Sequence, residues 1–597
     1  MNQSTDYINT QTAKTLHGLF QERVKRSPQK EAYRYYNNRD KQWQSYTWQE
    51  MARQVSRWQQ ALAKEPLKPG DRIAIMARNC PQWAIFDQAV LGLGLVDVPL
   101  YYNDRAESVT YILKNAGVKI LFIEGVEQWA QLKEFGQQME TVLRIVSFTP
   151  VADAGDPRLV SLDDWQGPET TLVSREVDPH SLATICYTSG TTGNPKGVML
   201  SHHNILCNAY TALQLVNIYP EDLFLSFLPL SHMFERTAGY YLPMMAGSRT
   251  AYARSVPDLP EDLITIKPTI LISVPRIYER IYAKIKIQLE TSGIKKALFD
   301  AAVNIGWRRF EIQQGRASWT PALLLWPLLN ILVAGKILAK LGGRLRFTVS
   351  GGAPLSPAVS KVFIGLGLPV LQGYGLTESS PVISVNTLES NDPASVGVIF
   401  PDTQVRIGEN DELLLKGPNV MLGYWGNEAA TKACIDAQAW LHTGDKARIT
   451  NKHVYITGRI KEIIVLANGE KVPPADMEVA IVSDPLFEQV MVIGEAKPYL
   501  SALVVLNKEH QGKLLNQLKL EPGKKSLLEQ PIFLKELLNR IAAQTKNFPG
   551  YAQIRRIAVC EEAWTVENGL ITPTLKLKRA KIMAYYEKHC GVLYDGH

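Results

Sequence analysis

From Tyr187 the chain reads Tyr-Thr-Ser-Gly-Thr-Thr-Gly-Asn-Pro-Lys-Gly. Thr188, Ser189, Thr191 and Thr192 supply hydroxyl donors and Lys196 supplies a cation. Gly190, Gly193 and Gly197 let the backbone turn tightly and aim its N–H groups at an anion. That combination suits a polyphosphate. A plain Ser/Thr/Gly linker gives no reason for a single lysine between Pro195 and Gly197, behind the apolar run 182–186. Nor is this a Walker A loop, which needs Gly-Lys-Ser/Thr opening a helix. Here residues 198–200 read as a strand, and only Ser201 looks like the N-cap of a helix starting at His202. The loop is therefore expected to join two strands, which disfavours a P-loop ATPase or kinase.

Two further segments carry chemistry. In Gln372-Gly-Tyr-Gly-Leu-Thr-Glu378, Tyr374 stands between two glycines, where its ring can stack on a purine or sit in the core. Thr377 offers a hydroxyl suited to phosphate, and Glu378 a hard oxygen suited to magnesium. Asp445 follows His442-Thr-Gly, a turn composition that presents a carboxylate to paired ribose hydroxyls or closes an Asx-turn.

In this order and spacing, the motifs resemble the adenylate-forming superfamily of acyl-CoA synthetases, luciferases and peptide-synthetase adenylation domains, over about residues 15–585. The resemblance implies an acid activated by ATP with Mg2+ and then transferred to coenzyme A. It makes 187–197 the phosphate signature and places Gly352, Ala353 and Pro354 of Ser350-Gly-Gly-Ala-Pro354 at the adenine. Gln372, Gly373, Tyr374 and Gly375 join them there, with Thr377 and Glu378 at the phosphates and metal. Asp445, from Trp440-Leu-His-Thr-Gly-Asp445, and Arg459, after Gly458, become ribose contacts, with an ordinary surface arginine as the alternative for Arg459.

His232, in Leu228-Pro-Leu-Ser-His-Met-Phe234, falls near the acyl carboxylate, to orient it or gate the tunnel; a satisfied buried histidine is the alternative. Arg236 stands where some fatty-acid synthetases have an aromatic gate, so that gate is not expected here. Residues 274–280 resemble a segment near the substrate but read equally well as the packing of a helix start. Near the end, Lys576 lies four residues after Thr572 and aligns with the lysine that serves adenylation, Leu575 replacing the usual glycine. Lys578 is the runner-up, although with Arg579 and Lys581 it also reads as a solvated basic face. Lys461 becomes the hinge of a small domain that swings between the two steps, and 467–471, with Gly469, the face that meets the pantetheine.

The elements that position these residues read as α/β. Strand-like runs at 71–76, 95–99, 119–123, 269–273 and 345–350 alternate with helical periods such as 82–93. After residue 400 the texture turns β-rich, with a hairpin expected from 405–407 and 412–416, and after Gly458 it becomes compact α+β. The expected architecture is a large N-terminal domain, 1–458, of α/β subdomains plus a β-rich subdomain. A small mobile α+β domain, 459–597, follows.

Composition frames the rest. Net charge is +7 over 597 residues, a mild excess with no compact basic run, which disfavours nucleic acid; it reads either as without electrostatic meaning or as attraction to anionic phosphate ligands or lipid headgroups. Six scattered cysteines without a Cys-x-x-Cys pair argue against a zinc site or disulfide framework, and the polar residues 1–14 show no secretory signal, so a cytoplasmic setting is expected. Residues 317–335 carry no charge and are Leu-rich, flanked by Arg308, Arg309 and Arg316 before and Lys336 and Lys340 after. They read as a buried helix pair or as an interfacial helix on an anionic membrane face. The basic, apolar insert 289–343 and Thr572-Pro-Thr-Leu-Lys-Leu-Lys-Arg579 resemble the long-chain branch, implying a long-chain fatty acid–CoA ligase. The alternatives are a fatty-acyl-AMP ligase or adenylating enzyme feeding a carrier protein, disfavoured because the sequence given stops soon after Lys576, and a ligase for another carboxylic acid.

Overall fold

The computed structural model describes residues 4–152, 155–188, 194–290, 292–520, 530–572 and 576–594. Among these, two large sheets organise the first three-quarters of the chain. The eight-stranded sheet runs Gly423–Tyr424, Lys196–Ser201, Leu182–Thr188, Val96–Leu100, Arg72–Met76, Ile120–Ile123, Arg144–Ser147, Leu159–Ser161. Its middle strands are parallel and rich in Val, Ile and Leu, because helices cover both of their faces. Strands Leu182–Thr188 and Lys196–Ser201 pair antiparallel, Thr188 opposite Lys196. The strands on either side of the motif therefore pair with each other, as its sequence predicts. Ser201 caps the next helix, His202–Leu215: its Oγ accepts from Asn204 N–H at 3.1 Å and its own N–H donates to Asn204 Oδ1 at 2.8 Å.

The thirteen-stranded sheet holds a parallel block that includes Leu223–Ser226, Ile270–Ser273, Phe347–Ser350 and Val370–Gly375. Strand Val370–Gly375 is parallel to Phe347–Ser350 on one side and antiparallel to Val382–Val385 on the other. From there the antiparallel strands Val398–Ile399, His453–Arg459, Leu441–Thr450, Glu412–Lys416 and Gln404–Ile407 extend the same sheet. The β-rich portion after residue 400 thus grows out of the parallel sheet. Gly375 marks the switch: a Cβ there would lie 1.9 Å from Pro381 O, so only glycine lets the two chain segments close. One core links both large sheets, joining Ile73, Ile75 and Phe122 of the first to Phe224, Ile270, Ile272 and Leu371 of the second through the buried helix Pro81–Gly92.

The C-terminal portion has its own three-stranded sheet, Phe487–Ile493, Leu500–Leu506 and Ile554–Cys560. Period-two alternation sends Val490, Val492, Ala502 and Val504 to one face, against Ile481, Phe533 and Leu537. Met491, Ile493, Leu503 and Val505 go to the other, against Trp564, Ile582 and Tyr586. Both faces are covered by the chain that follows residue 460, so this portion carries a separate core.

The insert leaves strand Ile270–Ser273 and returns to its parallel neighbour Phe347–Ser350, with Ile270 opposite Phe347. It holds helix Gly293–Gln313 and a helical run Pro321–Ala339. Gly306 lets the first helix approach Gly365 so closely that a Cβ would meet Gly365 O at 1.7 Å. The reading of 317–335 as a buried helix pair is overturned, since only Leu329 and Ala334 of that stretch are buried.

Candidate active site

The site gathers where the two large sheets and the C-terminal portion meet. Strand register builds its best-defined part. Asp445 on Leu441–Thr450 lies directly opposite Arg459 on His453–Arg459, and Arg459 Nε donates to Asp445 Oδ1 at 2.7 Å. Tyr374, at the parallel-to-antiparallel switch, donates its hydroxyl to Asp445 Oδ2 at 2.6 Å. Burial opposes the Arg459 charge, yet the Asp445 carboxylate outweighs it and lifts the guanidinium above its ordinary range. Burial and that same carboxylate push the Tyr374 phenol well up. The three form one fixed unit, its carboxylate held between two donors.

A second unit brings Glu378 to Lys196. Glu378 sits in the turn Thr377–Ser379 after strand Val370–Gly375, and its Oε1 accepts from the Tyr424 hydroxyl at 2.8 Å. Lys196 Nζ lies 5.1 Å from the centroid of the same Tyr424 ring. Tyr424 is placed there by the short strand Gly423–Tyr424, which adds to the edge of the phosphate hairpin with Tyr424 opposite Val198. Burial and then the Glu378 carboxylate raise its phenol well above the ordinary range, so it remains a donor. The other Glu378 oxygen has no partner among the described residues. A single hard carboxylate oxygen left open beside the Lys196 cation is a donor that could hold Mg2+, which keeps most of its shell as water and phosphate oxygens.

The loop expected at the adenine, Gly352, Ala353 and Pro354, is exposed after strand Phe347–Ser350, which pairs with the strand that carries Tyr374. Gln372 does something other than present its side chain to a ligand. It is buried, its Oε1 accepts from Leu355 N–H at 3.2 Å, and its Nε2 donates to Pro393 O at 2.6 Å, so it ties that loop to the sheet. Gly373 keeps the adjoining strand thin, 3.3 Å from Ser384 O to a Cβ position.

His232 caps the short helix Met233–Glu235, its Nδ1 accepting from Phe234 N–H at 3.2 Å. Burial, assisted by the Lys576 charge, pushes its pKa down to about 4, so the ring is neutral at physiological pH. Arg236 turns wholly inward: it pairs with Asp87 and Asp97, all three side chains being fully buried, and donates to the hydroxyls of Thr184 and Tyr241. An aromatic gate is absent at this position, and the charge that replaces it anchors the helix behind His232.

Lys576 comes from the C-terminal portion. Its N–H donates to Thr572 Oγ1 at 3.0 Å, which fixes the backbone at its base. Desolvation, then the Arg459 charge, lower its pKa, while Asp445, Glu378 and Glu462 raise it; the residue as a whole is exposed. Lys576 is thus within electrostatic reach of Arg459, Asp445, Glu378, Glu462 and His232. Lys578 faces Arg105 and Asp104 instead, away from that set. Arg276, at the start of helix Pro275–Glu290, donates to Glu488 O at 2.7 Å and ties the large portion to the small one. That gives residues 274–280 a structural role at the junction.

Lys461 is exposed in the turn Ile460–Glu462, and Gly469 is exposed at the tip of the hairpin between Ile464–Val465 and Lys471–Val472. Ser189, Gly190, Thr191, Thr192, Gly193 and Leu575 lie outside the described residues. Sequence reasoning missed Tyr424. The signal available was Gly423-Tyr-Trp425, an aromatic pair behind a glycine, but only the strand pairing shows that it touches Glu378 and Lys196.

The family model described as AMP-binding enzyme matches residues 20–425, and that described as AMP-binding enzyme C-terminal domain matches residues 461–597. The long-chain-fatty-acid–CoA ligase FadD15 of Mycobacterium bovis is 30% identical over 570 residues, covering 93% of each chain. Long-chain-fatty-acid–CoA ligase 6 of Mus musculus is 31% identical, covering 93% of this chain and 82% of the mouse protein. Among solved structures, the A-PCP didomain of a carboxylic acid reductase from Segniliparus rugosus, in complex with AMP, shares the fold with a TM-score of 0.77 at 19% identity, covering 99% of this chain and 84% of that one. With its site built at the junction of both matched regions, the chain belongs to the AMP-binding enzyme family.

Proposed function

We propose that this protein is an AMP-forming long-chain fatty acid–CoA ligase. It joins a fatty acid to ATP as an acyl-adenylate with loss of diphosphate, then passes the acyl group to coenzyme A with loss of AMP. The observation that carries this reading is the convergence of Lys576 with Glu378, Asp445, Arg459 and His232 in one cleft. A carboxylate attacking a phosphate is anion meeting anion, and it proceeds only where fixed cations face the developing charge. Lys576 supplies that cation from the C-terminal portion. Asp445, held by Tyr374 and Arg459, offers its remaining lone pairs to the ribose hydroxyls, and Lys196 faces the polyphosphate from the hairpin. Neutral His232 orients the fatty carboxylate without adding charge. Mg2+, when bound, would screen the phosphate charge from the free oxygen of Glu378.

Thioester formation needs no cation at the phosphorus, and a division at 458/459 with Lys461 as hinge lets the small domain turn its Gly469 face to the coenzyme. The relatives named as long-chain-fatty-acid–CoA ligases support a fatty acid as the substrate, and six unpaired cysteines fit a reducing, cytoplasmic setting. The test is product analysis with ATP, Mg2+ and coenzyme A against short, medium and long acids. AMP and acyl-CoA should form together and best with palmitate-like acids. AMP release with no thioester on coenzyme A would move the protein to the carrier-feeding class.

A further inference from the structure

The helical run Pro321–Ala339 has two apolar faces. One packs inward: Trp326, Val333 and Ile337 lie against Phe299, Val303, Val362 and Leu366. The other is bare. Leu324, Leu328 and Ile331, on successive turns, are 73%, 56% and 69% exposed, and Trp319 just before them is 61% exposed. A helix on the surface of a globular protein turns charged or polar residues outward. This one has no charged residue from 317 to 335, and a bare apolar patch of this kind marks a docking surface.

Charge says what docks there. Residues 284–344 hold ten Lys and Arg against three Asp and Glu, a balance of +7, which equals the net charge of the whole chain. Everything outside residues 284–344, the insert with five residues before it and one after, is therefore neutral in sum. Lys295, Lys296, Lys336, Lys340 and Arg344 are exposed, and none has a carboxylate partner among the described residues. Arg309 lies 4.6 Å from the Trp326 ring centroid and Arg316 pairs with Glu311 at 2.9 Å, so those two serve the fold more than the surface.

A run of 19 residues is long enough to cross a bilayer, yet both ends of the insert return to adjacent parallel strands of one sheet. A single crossing would put those strands on opposite sides, so the run lies along a surface. We propose that Leu324, Leu328, Ile331 and Trp319 dip into the outer layer of an anionic lipid bilayer while the lysines of the insert meet its headgroups. Apolar burial and basic attraction act together in such an interfacial helix. The docking stands on this surface alone. Only its benefit, access to membrane-dissolved acids, rests on the long-chain reading.

The experiment is co-sedimentation of the full chain with vesicles of phosphatidylcholine alone and of phosphatidylcholine with phosphatidylglycerol in equal parts. No turnover is needed, so this result and the ligase reading stand or fall separately. The protein should bind the anionic vesicles more tightly. Leu324→Glu with Leu328→Glu and Ile331→Glu, all outside the packed face, should remove binding to both while leaving the melting temperature in place. Lys336→Gln with Lys340→Gln should weaken anionic binding by about fivefold per lysine and leave neutral vesicles unaffected. Vesicle binding unchanged in the triple variant, or none in the wild type, overturns the proposal. So does a triple variant that only converts a dimer to a monomer, which would make the face a contact between two copies of this chain.

Discussion

Tyr424→Phe removes one oxygen and little else. The hydroxyl donates to Glu378 Oε1 at 2.8 Å, while the ring, buried in the edge strand, keeps its place 5.1 Å from Lys196. A hydrogen bond to an ionised group is worth about 1.5–3 kcal/mol. If the whole of that holds Glu378 in its working position, adenylation should slow by about 10- to 150-fold. Tyr424→Ala removes the face beneath Lys196 as well, so it should raise the KM for ATP where Tyr424→Phe does not. The assay is fatty-acid-dependent ATP–diphosphate exchange, paired with thioester formation from a synthetic acyl-adenylate, which both variants should retain. Full exchange activity in Tyr424→Phe would show that Glu378 needs no anchor, and the unit joining it to Lys196 would lose its meaning.

Two further outcomes follow from contacts described above. Arg276→Ala breaks the tie to Glu488 O at 2.7 Å, so the small domain should leave the adenylating arrangement more readily; diphosphate exchange should fall by several-fold while thioester formation holds or rises, and a parallel loss of both would contradict this. Glu235 is buried with both carboxylate oxygens unpaired, and burial raises its pKa to about 8. Because the folded value lies above the unfolded one, its contribution is complete at low pH and is lost as pH rises towards 8, at about 1.4 kcal/mol per pH unit. Glu235→Gln should flatten the fall in melting temperature between pH 5 and pH 8, and parallel profiles for variant and wild type would refute the assignment.

What could be read in the sequence was local. Ser201 capping His202–Leu215 follows from neighbours three residues apart, and the placement of Lys196 behind a turn follows from Pro195 and two flanking strands. Asp445 and Arg459 were each expected, from the resemblance, to meet the ribose, but that they are cross-strand partners depends on the register of two long strands. Gln372 misled because the resemblance puts its whole motif at the adenine, whereas its own amide is consumed by Leu355 and Pro393, residues far enough along the chain to leave no local trace. Tyr424 was missed for the same reason, acting through an edge strand on residues 46 and more than 200 positions away. The apolar run 317–335 shows the limit from the other side. Its composition was plain, but whether a Leu-rich helix faces a core or solvent is decided by packing against Phe299, Val303 and Val362, which periodicity does not reveal.

The central claim is that one cleft performs two steps and that Lys576 serves the first of them. Lys576→Ala should therefore cripple acyl-adenylate formation from ATP and fatty acid, by at least the 10²–10³-fold typical of losing one charge-stabilising donor, about 2.7–4 kcal/mol. Supplied with a pre-made acyl-adenylate and coenzyme A, the same folded variant should form acyl-CoA at a rate close to the wild type. Equal loss of both half-reactions would contradict the division of labour between the two steps, and undiminished adenylation would remove Lys576 from the mechanism.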